Sequence, residues 1–178
     1  MSDFSVSTFL SKGLANGGLR ANRFKVSFNF PKSVSANTNR ISLLTKSTTI
    51  PAPRLGVTEV KVYGSRTLSL AGDQTLTQWS TTLILDSIDD YHAFIAWQNI
   101  AMGMQNNKGA NNPQDYLRDY EVTLYNRDNT PVHNGTFVLE DGFPSTVGAL
   151  RVSYDSTNTI LECDVEFAYN NFKASSTL

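Results

Sequence analysis

The stretch that decides the fold is KVYGSRTLSLAGDQTLTQWSTTLILDSIDDYHAFIAWQNIAMG, which runs from Lys61 to Gly103. It predicts a strand, a tight corner at residues 71–73, a second strand and one amphipathic helix. In the second strand, large or β-branched residues recur at every second position, as on the buried face of a pleated strand, namely at Trp79, Thr81, Leu83 and Leu85. The stretch therefore predicts a sheet with a helix attached to it.

The helix is expected at about residues 87–102. Ser87 stands where an N-cap belongs, and Asp90 follows three residues later as an acidic form of the capping box. Gly103 suits the C′ position, directly after the C-cap. We expect Phe94 and Trp97 to support the core together with Trp79, since they keep helical spacing. The polar side of the helix, with Asp90 and His92, is expected to face outward.

The rest of the chain predicts further strands, and the fold class is therefore mainly β. The expected architecture is an antiparallel β-barrel or sandwich with one flanking helix, within a single domain of residues 1–178. Corners are expected at residues 141–144 and, as a hairpin turn, at 155–158. The Asn112–Pro113 pair predicts a short helical turn. The strands are expected at residues 22–30, 41–49, 120–126, 149–154 and 159–169, with another passing through 138–139 and containing either a bulge or a second turn at Gly135.

Three segments do not read as parts of a core. Residues 1–20 are polar and glycine-containing, and predict an N-terminal arm that a neighbouring molecule orders. Residues 45–58 predict an extended arm or loop, because Pro51 and Pro53 cannot donate to a central ladder. Residues 104–115 predict a flexible loop.

Composition limits the classes of function. The 178 residues include 15 basic and 16 acidic ones, so the chain lacks the basic excess typical of nonspecific nucleic-acid binding. Cys163 is the only cysteine, and no CxxC pair offers a zinc site. Neither a secretory leader nor a run of about twenty apolar residues is evident. We expect a soluble protein without cofactor or membrane insertion.

Catalytic candidates are few. Cys163 with His92 or His133 could in principle form a nucleophile and base, but Cys163 lies in the apolar row of a strand, where a buried structural role is expected. Asn134–Thr136 matches a glycosylation sequon, and residues 155–158 carry calcium-type ligands without EF-hand spacing. We therefore expect no catalytic residues, no metal site and no enzymatic activity.

Several segments together resemble the tail tube proteins of contractile-tailed phages of the T-even type. The resemblance covers nearly the whole chain and is carried by these pieces: RANRFKV at 20–26, IPAP at 50–53, AGDQT at 71–75 followed by Trp79, FIAWQNIAMG at 94–103, GFPSTVG at 142–148, and YDSTN at 154–158. The chain differs from the pattern in its longer polar tail at 1–20 and its longer loop at 104–115.

The resemblance implies a structural virion protein. Members form sixfold rings with a continuous inner sheet, and the rings stack into the tail tube through which DNA passes to the host. The implied partners are further copies of the chain and the sheath, baseplate and terminator proteins, with localisation in the virion tail and, during assembly, in the host cytoplasm. Alternatives are the inner tube of a tailocin or type VI-like injection system and, from a different class, a monomeric β-rich binding module.

Two sets of residues are predicted to serve such a tube. Glu162, Asp164 and Glu166 alternate with the apolar residues of the last strand, so they point away from the core and are expected to line the channel. Contacts between rings or subunits are expected from residues of the two arms: Phe4, Phe9, Leu10, Ile50, Pro51, Pro53 and Arg54. Double-stranded DNA is expected to pass the channel without specific binding.

Overall fold

A computed structural model describes residues 5–15, 17–64 and 66–174 of the chain. The fold is mainly antiparallel β with one long helix, which confirms the predicted class. The helices are α1 (Val6–Thr8, continued by a π-helical turn at Phe9–Gly13), α2 (Thr38–Leu43) and α3 (Ile88–Ala101), with a 3-10 turn at Pro113–Asp115. The strands are β1 (Phe24–Ser27), β2 (Thr45–Thr48), β3 (Arg54–Val62), β4 (Arg66–Thr75), β5 (Trp79–Ile84), β6 (Arg118–Tyr125), β7 (Pro131–Val147), β8 (Glu162–Ala168) and β9 (Asn171–Ala174).

Seven of these strands form one sheet, in the order β1-β6-β7-β8-β5-β2, with β9 also paired to β7. The long strand β7 joins two halves of the sheet, because it pairs with β6 up to Gly142 and with β8 from Phe143 onward. Side chains from both halves meet in one hydrophobic cluster. The sheet therefore wraps around a single core.

The period-two pattern of β5 and β8 places their side chains as the sequence predicts. The two strands are antiparallel, with Trp79 opposite Phe167 and Leu83 opposite Cys163. These four side chains are buried, while Glu162 on the opposite face of β8 is exposed. Burial of alternate residues on two paired strands stabilises both their register and the face that they present to the helix.

The aromatic side chains of α3 complete the core. Phe94 and Trp97 are fully buried, as is Trp79. The rings of Trp79 and Phe167 stack with centroids 4.8 Å apart, and Phe28 lies 6.0 Å from Phe94 edge to face. The two buried indole N–H groups are satisfied, one by the Thr48 hydroxyl and the other by the Tyr116 carbonyl, each at 2.7 Å. Helix and sheet are thus held by packing and by paired polar atoms.

The first turn of α3 differs in part from the prediction. Ser87 caps the helix, but its hydroxyl accepts from the Asp89 N–H, and Asp90 is not part of a capping box. Asp90 does not face outward either: it is buried and accepts a 2.7 Å hydrogen bond from Arg40. His92 is exposed, as expected. Met102 is the C-cap, so Gly103 takes the predicted C′ position, although without the positive φ of a left-handed cap.

The predicted strand at 41–49 is wrong in its first half, because residues 38–43 form α2. Asn37 starts that helix by accepting a hydrogen bond from the Arg40 N–H, and Ile41 points into the core. The predicted strand at 22–30 is shortened to β1. Phe28 and Phe30 leave the ladder yet stay buried in the core. The period-two pattern of residues 22–30 therefore predicted which side chains are buried better than it predicted which residues pair within the sheet.

The predicted corner at 71–73 is wrong, because these residues lie inside β4. β3 and β4 form one long hairpin, whose turn includes Gly64 with a φ of +87°. Gly72 lies against Gly56 of the partner strand: a Cβ atom on Gly72 would be 3.1 Å from the Gly56 carbonyl carbon. The glycine at position 72 permits close strand approach, whereas the sequence reading assigned it to a turn.

Three further predictions near the C-terminus are corrected. Residues 141–144 form no corner but lie within β7, where Asp141 adopts a φ of +52° next to the change of partner strand. Residues 149–154 form no strand, so the turn at 155–158 does not join two strands of a hairpin. The last predicted strand, at residues 159–169, is shortened to β8, and β9 follows it as a strand that was not predicted. Both strands pair with β7.

Candidate assembly surfaces

The three predicted channel residues lie together on the outward face of β8. Glu162 and Asp164 are exposed and Glu166 is half-buried, while the alternate residues enter the core. Neighbouring strands bring two partners that the sequence did not indicate: the Lys46 ammonium donates to Glu162 at 2.7 Å, and the Thr82 hydroxyl donates to Asp164 at 2.7 Å. The face is therefore acidic, with one of its three carboxylates in an ion pair.

The partners of this face come from strands distant in sequence. Lys46 lies on β2 beside a register irregularity, and Thr82 lies on β5 directly opposite Asp164. Each hydrogen bond holds a carboxylate close to the sheet surface, which limits its motion at little energetic gain because the pairs face water. The period-two pattern of β5 could have predicted that Thr82 lies on the outward face, away from the core. The position of Lys46 beside Glu162 could not be predicted in this way, because it depends on the register irregularity of β2.

The hairpin of β3 and β4 is the largest exposed element. Of its two strands, only Gly56 and Gly72 are partly covered, and every other residue is exposed. The exposed residues include large apolar side chains from both strands: Leu55, Val57, Val60, Val62, Leu68 and Leu70. An isolated two-stranded hairpin is marginally stable in water, and apolar side chains on such a ribbon are typical of a contact with another molecule.

Of the residues predicted for contacts between rings or subunits, those that the structure describes are exposed with one exception, Pro51. Phe9 and Leu10 are 61% and 56% exposed on the short α1 segment, and Ile50 is 37% exposed. Pro53 and Arg54 are exposed at the start of the hairpin, but Pro51 is buried within its own chain. Phe4 lies outside the described residues. The predicted arm at 45–58 also divides, because residues 45–48 form β2 and β3 begins at Arg54.

The catalytic candidates are placed apart from one another. Cys163 is buried in β8, and burial together with the nearby Asp164 charge raises the pKa of its thiol to about 11, so the thiolate is scarce at neutral pH. His92 and His133 are both exposed. Across the described ranges, no group of three or more His, Cys, Asp or Glu side chains has the arrangement of a metal site. No helix in that part of the chain is long and apolar enough to cross a membrane.

Together these features define a class of protein. A closed aromatic core supports an exposed apolar hairpin, two open sheet edges and an acidic strand face, which is the surface of a β-rich protein that assembles with other chains. The family model described as Phage tail tube protein matches residues 19–175, and the chain belongs to this family.

Relatives and solved structures agree with this assignment. The chain is 32% identical over 126 residues to the tail tube protein gp19 of Enterobacteria phage T4, covering 69% of this chain and 75% of that protein. It is 26% identical over 170 residues to the tail tube protein of Serratia phage KSP90, covering 92% and 94%. Its fold is similar to a chain in the sheath–tube complex of the extracellular contractile injection system PVC, with a TM-score of 0.62 at 14% identity, covering 97% and 99%. The protein is therefore a structural tail tube protein.

Proposed function

We propose that this protein forms hexameric rings that stack into the inner tube of a contractile tail, through which phage DNA leaves the virion. The observation that carries the proposal is the exposed hairpin, whose apolar side chains have no cover within the described residues of their own chain. A neighbouring copy covers these side chains without disturbing the rest of the fold, which is stabilised by its own core.

The arms extend the same contacts. Phe9 and Leu10 on α1, and Ile50, Pro53 and Arg54 beside the hairpin, expose surface that one copy alone leaves in water. Among the described strands, β1 and β2 stand at the two ends of the main strand order, so each offers an edge for pairing with another strand. In this proposal the edges join neighbours within a ring, and the arms reach neighbours across and between rings.

The acidic face of β8 is proposed to line the channel. Asp164 and Glu166 form no ion pair within the part of the chain that the structure describes, so they contribute most of the negative charge. Repeated around a ring, such carboxylates repel DNA phosphates, whereas a basic wall binds them through counterion release. DNA then passes without specific contacts.

The partners at the ends and the outside of the tube follow from the same assembly. The chains of similar fold come from assemblies described as a sheath–tube complex, a baseplate and a tube-terminating cap. We propose that sheath, baseplate and terminator proteins meet this tube in the same way, in the virion tail after assembly in the host cytoplasm.

The assembly is tested with the purified full chain by light scattering coupled to size exclusion and by negative-stain microscopy. The expected result is sixfold rings or tubes built from copies of a 19.7 kDa chain. Replacing Pro53 by Ser, or removing residues 1–15, should weaken stacking and leave the body folded. A wild-type protein that stays monomeric at all concentrations contradicts the proposal.

The channel assignment has its own test. Asp164→Lys with Glu166→Lys should give tubes that bind double-stranded DNA at low salt and release it as salt rises. The neutral pair Asp164→Asn with Glu166→Gln serves as the control for packing, and should bind little. If the double-lysine tubes bind no more DNA than the neutral control, the acidic face of β8 does not line the channel.

A further inference from the structure

The two ends of the β6–β7 ladder carry opposite charge. At one end Arg20, Arg23 and Arg127 surround Tyr125 and line two adjoining clefts of about 410 and 320 Å³. Asp128 also lies there as an anion, since hydrogen bonds from the hydroxyl and N–H of Thr130 lower the pKa of its carboxyl. The three arginines outnumber this one carboxylate, so the end carries a net positive charge. We call this the basic pole.

The other end is acidic. Asp115, Asp119 and Asp141 are exposed there, and the Asp141 N–H donates to Asp119 at 3.0 Å. Two cations lie nearby, and each has another partner. Arg118 donates to the Gln114 and Leu117 carbonyl oxygens at 2.5 and 2.6 Å. Lys173 pairs with Glu140, and the charges of Asp119 and Asp141 also help to raise its pKa. No ion pair to these three carboxylates occurs among residues 5–15, 17–64 and 66–174. We call these three residues the acidic pole.

The ladder keeps the poles apart. Arg118 pairs with Gly142 at one end, and Tyr125 pairs with Pro131 at the other. Seven steps along β6 correspond to about 23 Å at the usual rise of a strand, well beyond a Debye length of about 8 Å at physiological salt. The poles therefore do not neutralise each other within one copy, and each remains available to another molecule.

We propose that the basic pole of one copy contacts the acidic pole of a copy in the next ring. This inference rests on the proposed tube. Two opposite surfaces on one chain make a heterologous contact, and such contacts extend into a filament when they do not close. Charge complementarity fixes the polarity and register of stacking more than its strength. A second copy is favoured over an external anion because the chain itself carries both poles.

The test uses two variants of the full chain. Arg20→Glu with Arg127→Glu makes both poles acidic. Asp115→Lys with Asp119→Asn and Asp141→Asn makes the acidic pole basic, keeps an oxygen acceptor at position 119, and suits the positive φ of residue 141. Each variant alone should form rings but lose tubes by about tenfold or more, since several charge pairs per contact become repulsive. An equimolar mixture should restore tubes of alternating rings. The charge-preserving variant Arg20→Lys with Arg127→Lys should stack as the wild type does.

Four outcomes overturn the inference. A wild-type protein without tubes overturns both this contact and the proposed function. Tubes of normal length from each variant alone overturn only the contact between poles. Loss of the rings themselves shows that the poles act within a ring. Salt-dependent DNA binding that needs Arg20 and Arg127, with stacking unchanged, assigns the basic pole to DNA.

Discussion

The body of the protein, meaning the seven-stranded sheet with its helices, and the hairpin of β3 and β4 are both antiparallel. Apolar side chains are buried in the body and exposed in the hairpin. β5 and β8 bury Trp79, Val165 and Phe167 completely, whereas β3 and β4 expose Val60 and Leu68 directly opposite each other. The ladder hydrogen bonds are alike in both, and such bonds contribute modestly to net stability. Burial therefore stabilises the body, and the hairpin depends on what covers it.

Substitution of Phe94 by Ala breaks the body and should have the largest effect. A fully buried aromatic ring is lost from a cluster shared with Phe28 and Phe167, at a cost of about 3–5 kcal/mol, which is a large part of a typical domain's stability. Chemical denaturation measures the loss. Ile88→Ala, on the exposed first turn of the same helix, is the matched control and should be nearly neutral. Equal effects at the two positions contradict the burial argument.

The ion pair of Arg40 and Asp90 comes next. Asp90 is buried on α3, and the Arg40 guanidinium on α2 reaches it at 2.7 Å, which raises the pKa of that guanidinium. Arg40→Met leaves the carboxylate buried without a cation, so the melting temperature should fall clearly. Adding Asp90→Leu should recover part of the loss. Asp86→Asn removes an exposed carboxylate 4.0 Å from Arg40 and should change little. If Asp86→Asn lowers the melting temperature more than Arg40→Met does, the Arg40–Asp90 pair is not the stabilising one.

Polar replacement of the hairpin pair should separate assembly from folding. Val60→Ser with Leu68→Ser alters two facing, exposed side chains, so the stability of the isolated chain should stay within about 0.5 kcal/mol. Rings or tubes should weaken because the cover that a neighbour supplies loses apolar area. Sedimentation and thermal melting measure the two properties in parallel. If this variant assembles normally, the hairpin is not part of the interface between copies.

The smallest expected effect concerns β9. Lys173 donates to Glu140 on β7 and lowers the pKa of that carboxyl. A lowered carboxyl pKa contributes stability above the unfolded value of about 4.3, and this contribution is lost as the pH falls through the folded value. Lys173→Met should therefore lower the melting temperature slightly at pH 7 and not at strongly acid pH. A difference that persists in acid indicates lost packing instead of lost charge.

Period-two alternation was a good guide to the body and a poor one to the hairpin. In β5 and β8 one face is buried, so apolar and polar residues separate cleanly along the sequence. In β3 and β4 both faces meet solvent in a single copy, and alternation carries no such contrast. Gly72 then reads as a turn, although its role is to let two strands approach.

The sequence by itself determined the mainly β class, the helix after Ser87, the buried residues of β5 and β8, and the resemblance to tail tube proteins. Those features depend on residues within a few positions of each other, through strand alternation, helical spacing and capping. Only the tertiary structure decided that Arg40 binds Asp90, that Lys46 binds Glu162 across 116 positions, and that β7 changes partner at Gly142. Such contacts depend on strand register and on how distant segments meet, and no local pattern encodes either.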